Sequence, residues 1–73
     1  SIAEKMSVML RHAELAVRYK GEKIAMREMR KHATWYLKGF GGAAQFRNEA
    51  GRVETLKQLE EICARAVYTL NNR

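Results

Sequence analysis

The sequence of 73 residues has no proline and no aspartate, only one cysteine, two histidines and five glycines. Without proline, nothing breaks a helix from inside. A single thiol, Cys63, cannot build an internal disulfide framework. His12 and His32 lie twenty positions apart, and with one cysteine they fall short of the three or four ligands of a zinc site. No run of about 18 apolar residues is present, so no transmembrane helix and no membrane partner are expected. The start, Ser1-Ile2-Ala3-Glu4, lacks the basic and apolar regions of a signal peptide, which makes a cytoplasmic setting the expectation. Position 1 is not methionine, and this raises the expectation of a fragment of a longer chain.

Catalysis finds little support. Cys63 falls on an apolar helical stripe, where a thiolate is poorly stabilised and a free cysteine acts as a small hydrophobe. No catalytic, cofactor-binding or metal-binding residue is expected in this chain. The length allows one small domain with a thin core.

What the sequence does have is positive charge in one place. Fourteen Lys and Arg face eight Glu, a net charge of +6. Residues 1–17 balance Lys5 and Arg11 against Glu4 and Glu14, and residues 53–73 balance Lys57, Arg65 and Arg73 against Glu54, Glu60 and Glu61. The excess lies in residues 18–52, where nine cations meet only Glu22, Glu28 and Glu49. A merely solubilised surface mixes the signs more evenly. Concentrated charge of this kind points to an anionic partner, most simply nucleic acid.

Apolar residues recur at helical spacing, and no alternating strand pattern or Asn-Gly hairpin appears. Four helices are predicted, over residues 2–20, 22–38, 43–50 and 56–70. Gly21 suits a left-handed stop after the first. Gly39-Phe40-Gly41-Gly42 ends the second, and Gly51 closes the third. Thr55 with Gln58 has capping-box spacing ahead of the fourth. The expected inward residues are Ile2, Met6, Met9, Leu10, Ala13, Ala16 and Val17, then Ala25, Met26, Met29, Ala33, Tyr36, Leu37 and Phe40. Phe46 and Ala50 follow, then Leu56, Leu59, Ile62, Cys63, Ala66, Val67 and Leu70. Short connections favour an all-α, compact four-helix bundle. The tail Asn71-Asn72-Arg73 is expected to fray.

On the second helix, Lys23, Arg27, Arg30, Lys31, Thr34 and Lys38 fall within roughly a quarter of the circumference, opposite the apolar face. Arg47 and Arg52 follow on the third helix and its exit. His32 lies at the border of the two faces, able to donate to a phosphate or base, or to a neighbouring helix end. Trp35 projects away from the apolar stripe and could stack on a base, pack on another helix or meet an absent domain. The glycine turn matches no phosphate-loop pattern. It opens a helix near Ala43, whose N–H groups could meet one phosphate, or it simply reverses the chain. A short helix after a turn also fits a helix-turn-helix DNA binder.

Arg27-Glu28-Met29-Arg30-Lys31-His32, followed by Trp35-Tyr36-Leu37-Lys38-Gly39, resembles the C-terminal domain of bacterial tRNA-dihydrouridine synthases. The similarity continues through Gly42-Ala43-Ala44-Gln45-Phe46-Arg47-Asn48 and Val53-Glu54-Thr55-Leu56, and includes Tyr19-Lys20-Gly21-Glu22-Lys23. It covers residues 8–62. The resemblance implies an N-terminal (β/α)8 barrel, absent here, that holds FMN, is reduced by NADPH and carries the catalytic cysteine. It also implies that this chain is the helical part that positions tRNA for reduction of uridine to dihydrouridine. Arg27, Arg30, Lys31, His32, Lys38 and Arg47 then become tRNA contacts, with Lys23 and Arg52 added from the charge pattern. Cys63 inherits no catalytic role. Gly51 departs from the family, whose members often carry Asn there. The expected partners are tRNA and the absent barrel. A second copy is a further candidate, because a Met-rich core packs adaptably and apolar surface left by the barrel would favour self-association. A helical protein-interaction module and a small DNA-binding domain are the rival readings.

Overall fold

The computed structural model describes residues 1–71. It contains α1 (Ile2–Lys20), α2 (Glu22–Tyr36), α3 (Ala44–Ala50) and α4 (Leu56–Asn71), and no strand among the described residues. The helices form an all-α bundle: α1 packs against α2 and α4, and the short α3 bridges α2 and α4.

Each helix starts and stops for a local reason. Ser1 accepts from the Glu4 N–H while the Glu4 side chain returns to the N-cap backbone, a capping box in the Ser1-x-x-Glu4 pattern. Thr55 and Gln58 close the predicted box before α4: the Gln58 N–H donates to Thr55 Oγ1 at 3.1 Å, and the Thr55 N–H to Gln58 Oε1 at 3.2 Å. A more distant cap joins them, since the Leu56 N–H donates to Glu22 Oε2 at 2.8 Å. Gly21 joins α1 to α2 with φ 84 and ψ 155. This is a glycine-only region rather than the left-handed helical basin expected. α2 ends at Tyr36, two residues before the predicted Lys38. There the Lys38 N–H reaches the Trp35 carbonyl, tightening the last turn, and Gly39 turns the chain at φ 93. α4 extends to Asn71, one residue beyond the predicted Leu70, and Asn72 and Arg73 of the tail expected to fray lie outside the described residues.

The core is aliphatic and sulfur-rich. Met6, Met9, Met26, Met29, Leu37, Phe46 and Leu59 are fully buried, and Ala25 and Ala33 let α2 lie close to its neighbours. Leu10, Ala16, Val17, Tyr36, Phe40, Leu56, Val67 and Leu70 pack at its margin. Ala43, predicted as the first residue of the third helix, is instead the residue before α3, and it is buried together with Val53, which lies in a connection. They seal the two ends of α3. Cys63 belongs to this core, and burial pushes its thiol up to about 12. No described helix is long and apolar enough to cross a membrane.

Candidate nucleic-acid interface

Burying one face of α2 leaves the opposite face to its cations. Lys23, Arg27 and Lys31 are exposed on it, and Lys38 is exposed on the turn beyond. Two arginines behave differently. Arg30 is half-buried, and its Nε donates to the Val53 carbonyl at 2.8 Å. Arg47, half-buried on α3, points Nη1 at the Leu37 carbonyl at 3.4 Å. That carbonyl belongs to the C-terminal end of α2, where a cation is favoured by the helix dipole. Each arginine thus ties a cation to a chain reversal.

The stripe divides into three groups. Lys23, Arg27 and Arg30 line a shallow cleft together with Glu22 and Glu54, so charge there is mixed. Lys31 and Lys38 join Arg47, Thr34, Trp35 and Gly39 around a second cleft of about 560 Å³ with no carboxylate in its lining. Arg52 sits apart with Glu49, Glu61 and Arg65. There Arg65 pairs with Glu49 and holds that carboxyl below its ordinary value.

His32 is drawn elsewhere. Its ring centroid lies 5.0 Å from that of His12 on α1, and His12 Nδ1 is 3.5 Å from the Tyr36 hydroxyl. The half-buried Tyr36 hydroxyl thus finds its polar neighbour on another helix. Glu28 lies next to this group and pairs with Lys20 at 2.8 Å, which lowers its carboxyl. No group of three His, Cys, Asp or Glu among the described residues is arranged to hold a metal ion.

Trp35 stays out of the core at 66% exposure. Tyr36 meets it edge-on at 5.8 Å, and Lys5 Nζ of α1 sits 5.7 Å from its ring centroid. Sequence periodicity placed Trp35 away from the apolar stripe without assigning it to the cations. The structure places it beside Lys31, Lys38 and Arg47. The available signal was spacing: Lys31 is four residues before Trp35 and Lys38 three after, which is one helical neighbourhood. The glycine turn reverses the chain, and the Ala43 N–H donates to the Phe40 carbonyl at 3.2 Å.

Comparison with known proteins places this arrangement in context. A family model described as dihydrouridine synthase matches residues 1–72. The chain is 38% identical over 60 residues to a probable tRNA-dihydrouridine synthase of Mycobacterium leprae, covering 82% of this chain and 16% of that protein. It is 29% identical over 69 residues to a probable tRNA-dihydrouridine synthase 1 of Synechocystis, covering 94% of this chain and 19% of that protein. A third relative, from Rickettsia conorii, is 38% identical over 47 residues, covering 64% of this chain and 14% of that protein. The chain therefore spans less than a fifth of the length of these curated relatives. No solved structure gives a significant match. With a family match over nearly its whole length, the chain belongs to the dihydrouridine synthase family.

Proposed function

We propose that this chain is the tRNA-binding part of a tRNA-dihydrouridine synthase, positioning tRNA for reduction of uridine to dihydrouridine by the rest of the protein. The observation that carries the reading is the cationic outer face of α2, continued by Lys38 and Arg47, in a chain of this family. Phosphate contacts by Lys23, Arg27, Arg30, Lys31, Lys38 and Arg47 fix register and orientation without reading sequence. Bidentate arginines add geometry, and lysines add mobile point charge. His32 and Arg52 remain proposed contacts at the margins of this face. FMN and NADPH belong, in this proposal, to the remainder of the protein, and no step here runs through them. Cys63, buried and with a raised pKa, is a core residue rather than a proton donor.

The test is binding of labelled tRNA, against a DNA duplex of equal length, across a salt series. Affinity for tRNA should fall linearly on a log–log plot, with a slope of roughly −0.7 to −0.9 per phosphate contacted. Lys31→Ala and Lys38→Ala should each reduce that slope by about one. Equal affinity for both nucleic acids refutes the reading, and so does absence of binding at low salt. A preference for the DNA duplex would favour the helix-turn-helix reading instead.

A second reading rests on a separate observation. Val8, Leu15 and Tyr19 on α1 and Ile24 on α2 are large, apolar and exposed. They suit contact with the remainder of the protein, the barrel implied by the resemblance, or with a second copy. Sedimentation of the isolated chain tests the second copy: a monomer at all concentrations refutes self-association.

A further inference from the structure

We infer that the cleft between the end of α2 and α3 takes one unstacked nucleotide of an RNA strand, with the base against Trp35 and its phosphate held by Lys31, Lys38 and Arg47. This inference rests on the tRNA-binding reading and assigns a defined site within it. Three observations favour it. First, the cleft brings three cations and an exposed indole together without a carboxylate, whereas four other surface clefts each include at least one glutamate. A carboxylate opposes an anion in each of those four, and none does so here.

Second, the cations are prepared for a phosphate rather than for an apolar surface. Arg47 is already oriented by the Leu37 carbonyl and keeps further donors for a ligand. Lys31 and Lys38 are exposed. An apolar protein surface docked here would strip water from three cations with nothing to replace it, which is costly. A phosphate supplies both charge and acceptor oxygens. Third, there is room. The volume of about 560 Å³ lies within the range of ligand clefts. Gly39 has no side chain at the rim, and the position its Cβ would occupy meets nothing within 4 Å. Lys5, which covers the indole from α1, is not part of the cleft lining, so the ring keeps a surface for a base. Stacking tolerates any base, because every base has a π-face.

Trp35 is the sole tryptophan, so its emission reports the site directly. The chain is titrated with tRNA and with a short single-stranded uridine oligoribonucleotide, following emission, while tRNA affinity is measured in parallel across salt. Quenching should saturate together with binding for both ligands. Trp35→Ala should weaken tRNA binding about 5- to 150-fold and leave the salt slope unchanged, because stacking releases no counterions. Trp35→Tyr should recover most of the loss. Circular dichroism of each variant confirms that the helices persist, as expected for a residue outside the core. Salt-sensitive tRNA binding without quenching, and unaltered in Trp35→Ala, overturns the nucleotide site, keeps the tRNA-binding reading and leaves the indole to the apolar face. Absence of salt-sensitive tRNA binding overturns both.

Discussion

Arg27 and Arg30 look equivalent in the sequence and should behave differently when replaced. Arg27 is exposed, so Arg27→Ala should change stability by no more than about 0.5 kcal/mol. Arg30 is half-buried and donates through Nε to the carbonyl of Val53, a residue only 2% exposed. Removing the donor leaves that carbonyl without this partner. Hydrogen bonds to charged groups contribute about 1.5–3 kcal/mol, and the partial exposure of Arg30 argues for the lower end. Arg30→Ala should therefore cost about 1.5–2 kcal/mol. A chain of this length is stable by about 4–11 kcal/mol in total, so the loss is a large fraction. It should lower the melting temperature by roughly 6–16 °C, with a matching fall in the urea midpoint at constant m-value. Both variants should lose about one unit of salt slope toward tRNA. The comparison is made by urea unfolding followed by circular dichroism, with RNA binding measured well below the melting temperature of each variant. If Arg30→Ala unfolds at the same urea concentration as Arg27→Ala, the bond to Val53 does not hold the α3–α4 connection, and the distinction between the two arginines collapses.

Three further outcomes follow from the core and the ion pairs. Phe46→Ala, at a fully buried site, should cost about 3–5 kcal/mol, and calorimetry should show the cooperative transition weakened or lost. Cys63 is buried with its thiol pushed up to about 12, so a disulfide reagent at neutral pH should label it only as the chain opens, in step with added urea; rapid labelling of the native chain contradicts the burial. Arg65 donates to Glu49 and holds its carboxyl below 4.5, so this pair contributes stability above that pH and loses it as pH falls further. Glu49→Gln should flatten the acid limb of the stability curve, modestly, because exposed pairs are screened by salt; an unchanged limb at low ionic strength refutes the assignment.

Local patterns were legible in the sequence, and pairings across long loops were not. The apolar spacing of Met6, Met9 and Ala13, or of Leu59, Ile62 and Ala66, reports burial directly because it repeats with the helix. The Thr55–Gln58 box was readable for the same reason, as was Ser1 with Glu4 had the same pattern been applied there. Arg30 and Val53 lie 23 residues apart, and the Glu22 cap on Leu56 spans 34. Periodicity has no access to contacts set by how α2, α3 and α4 meet. Val53 illustrates the cost: it sits outside every helix, so no spacing marks it, yet it is core. His12 and His32 were each readable as helix residues, but their approach depends on the register of α1 against α2. Of the candidate contacts, the α2 cations shared a face as expected. The grouping of Lys31 and Lys38 with Arg47 and Trp35 needed the turn after Tyr36 and the position of α3.

The anchoring of the two arginines bears on the proposed binding of tRNA by this small bundle. A side chain that must be ordered upon binding loses rotamer freedom, at about 0.5–1.5 kcal/mol per flexible side chain. Arg30 and Arg47 have already lost part of that freedom, because each is half-buried and directed at a backbone carbonyl. Those carbonyls, of Val53 and Leu37, stand where the chain reverses after α3 and α2. One bond therefore closes a reversal and directs a cation, and under the proposed function folding has covered the ordering cost before RNA binds. The exposed lysines carry no such preparation and remain adaptable. Under the proposed function, such a face combines fixed charges to set the register with movable charges to accommodate an irregular backbone. A folded RNA presents phosphates at uneven spacing, so this division suits it better than a uniform lysine surface would.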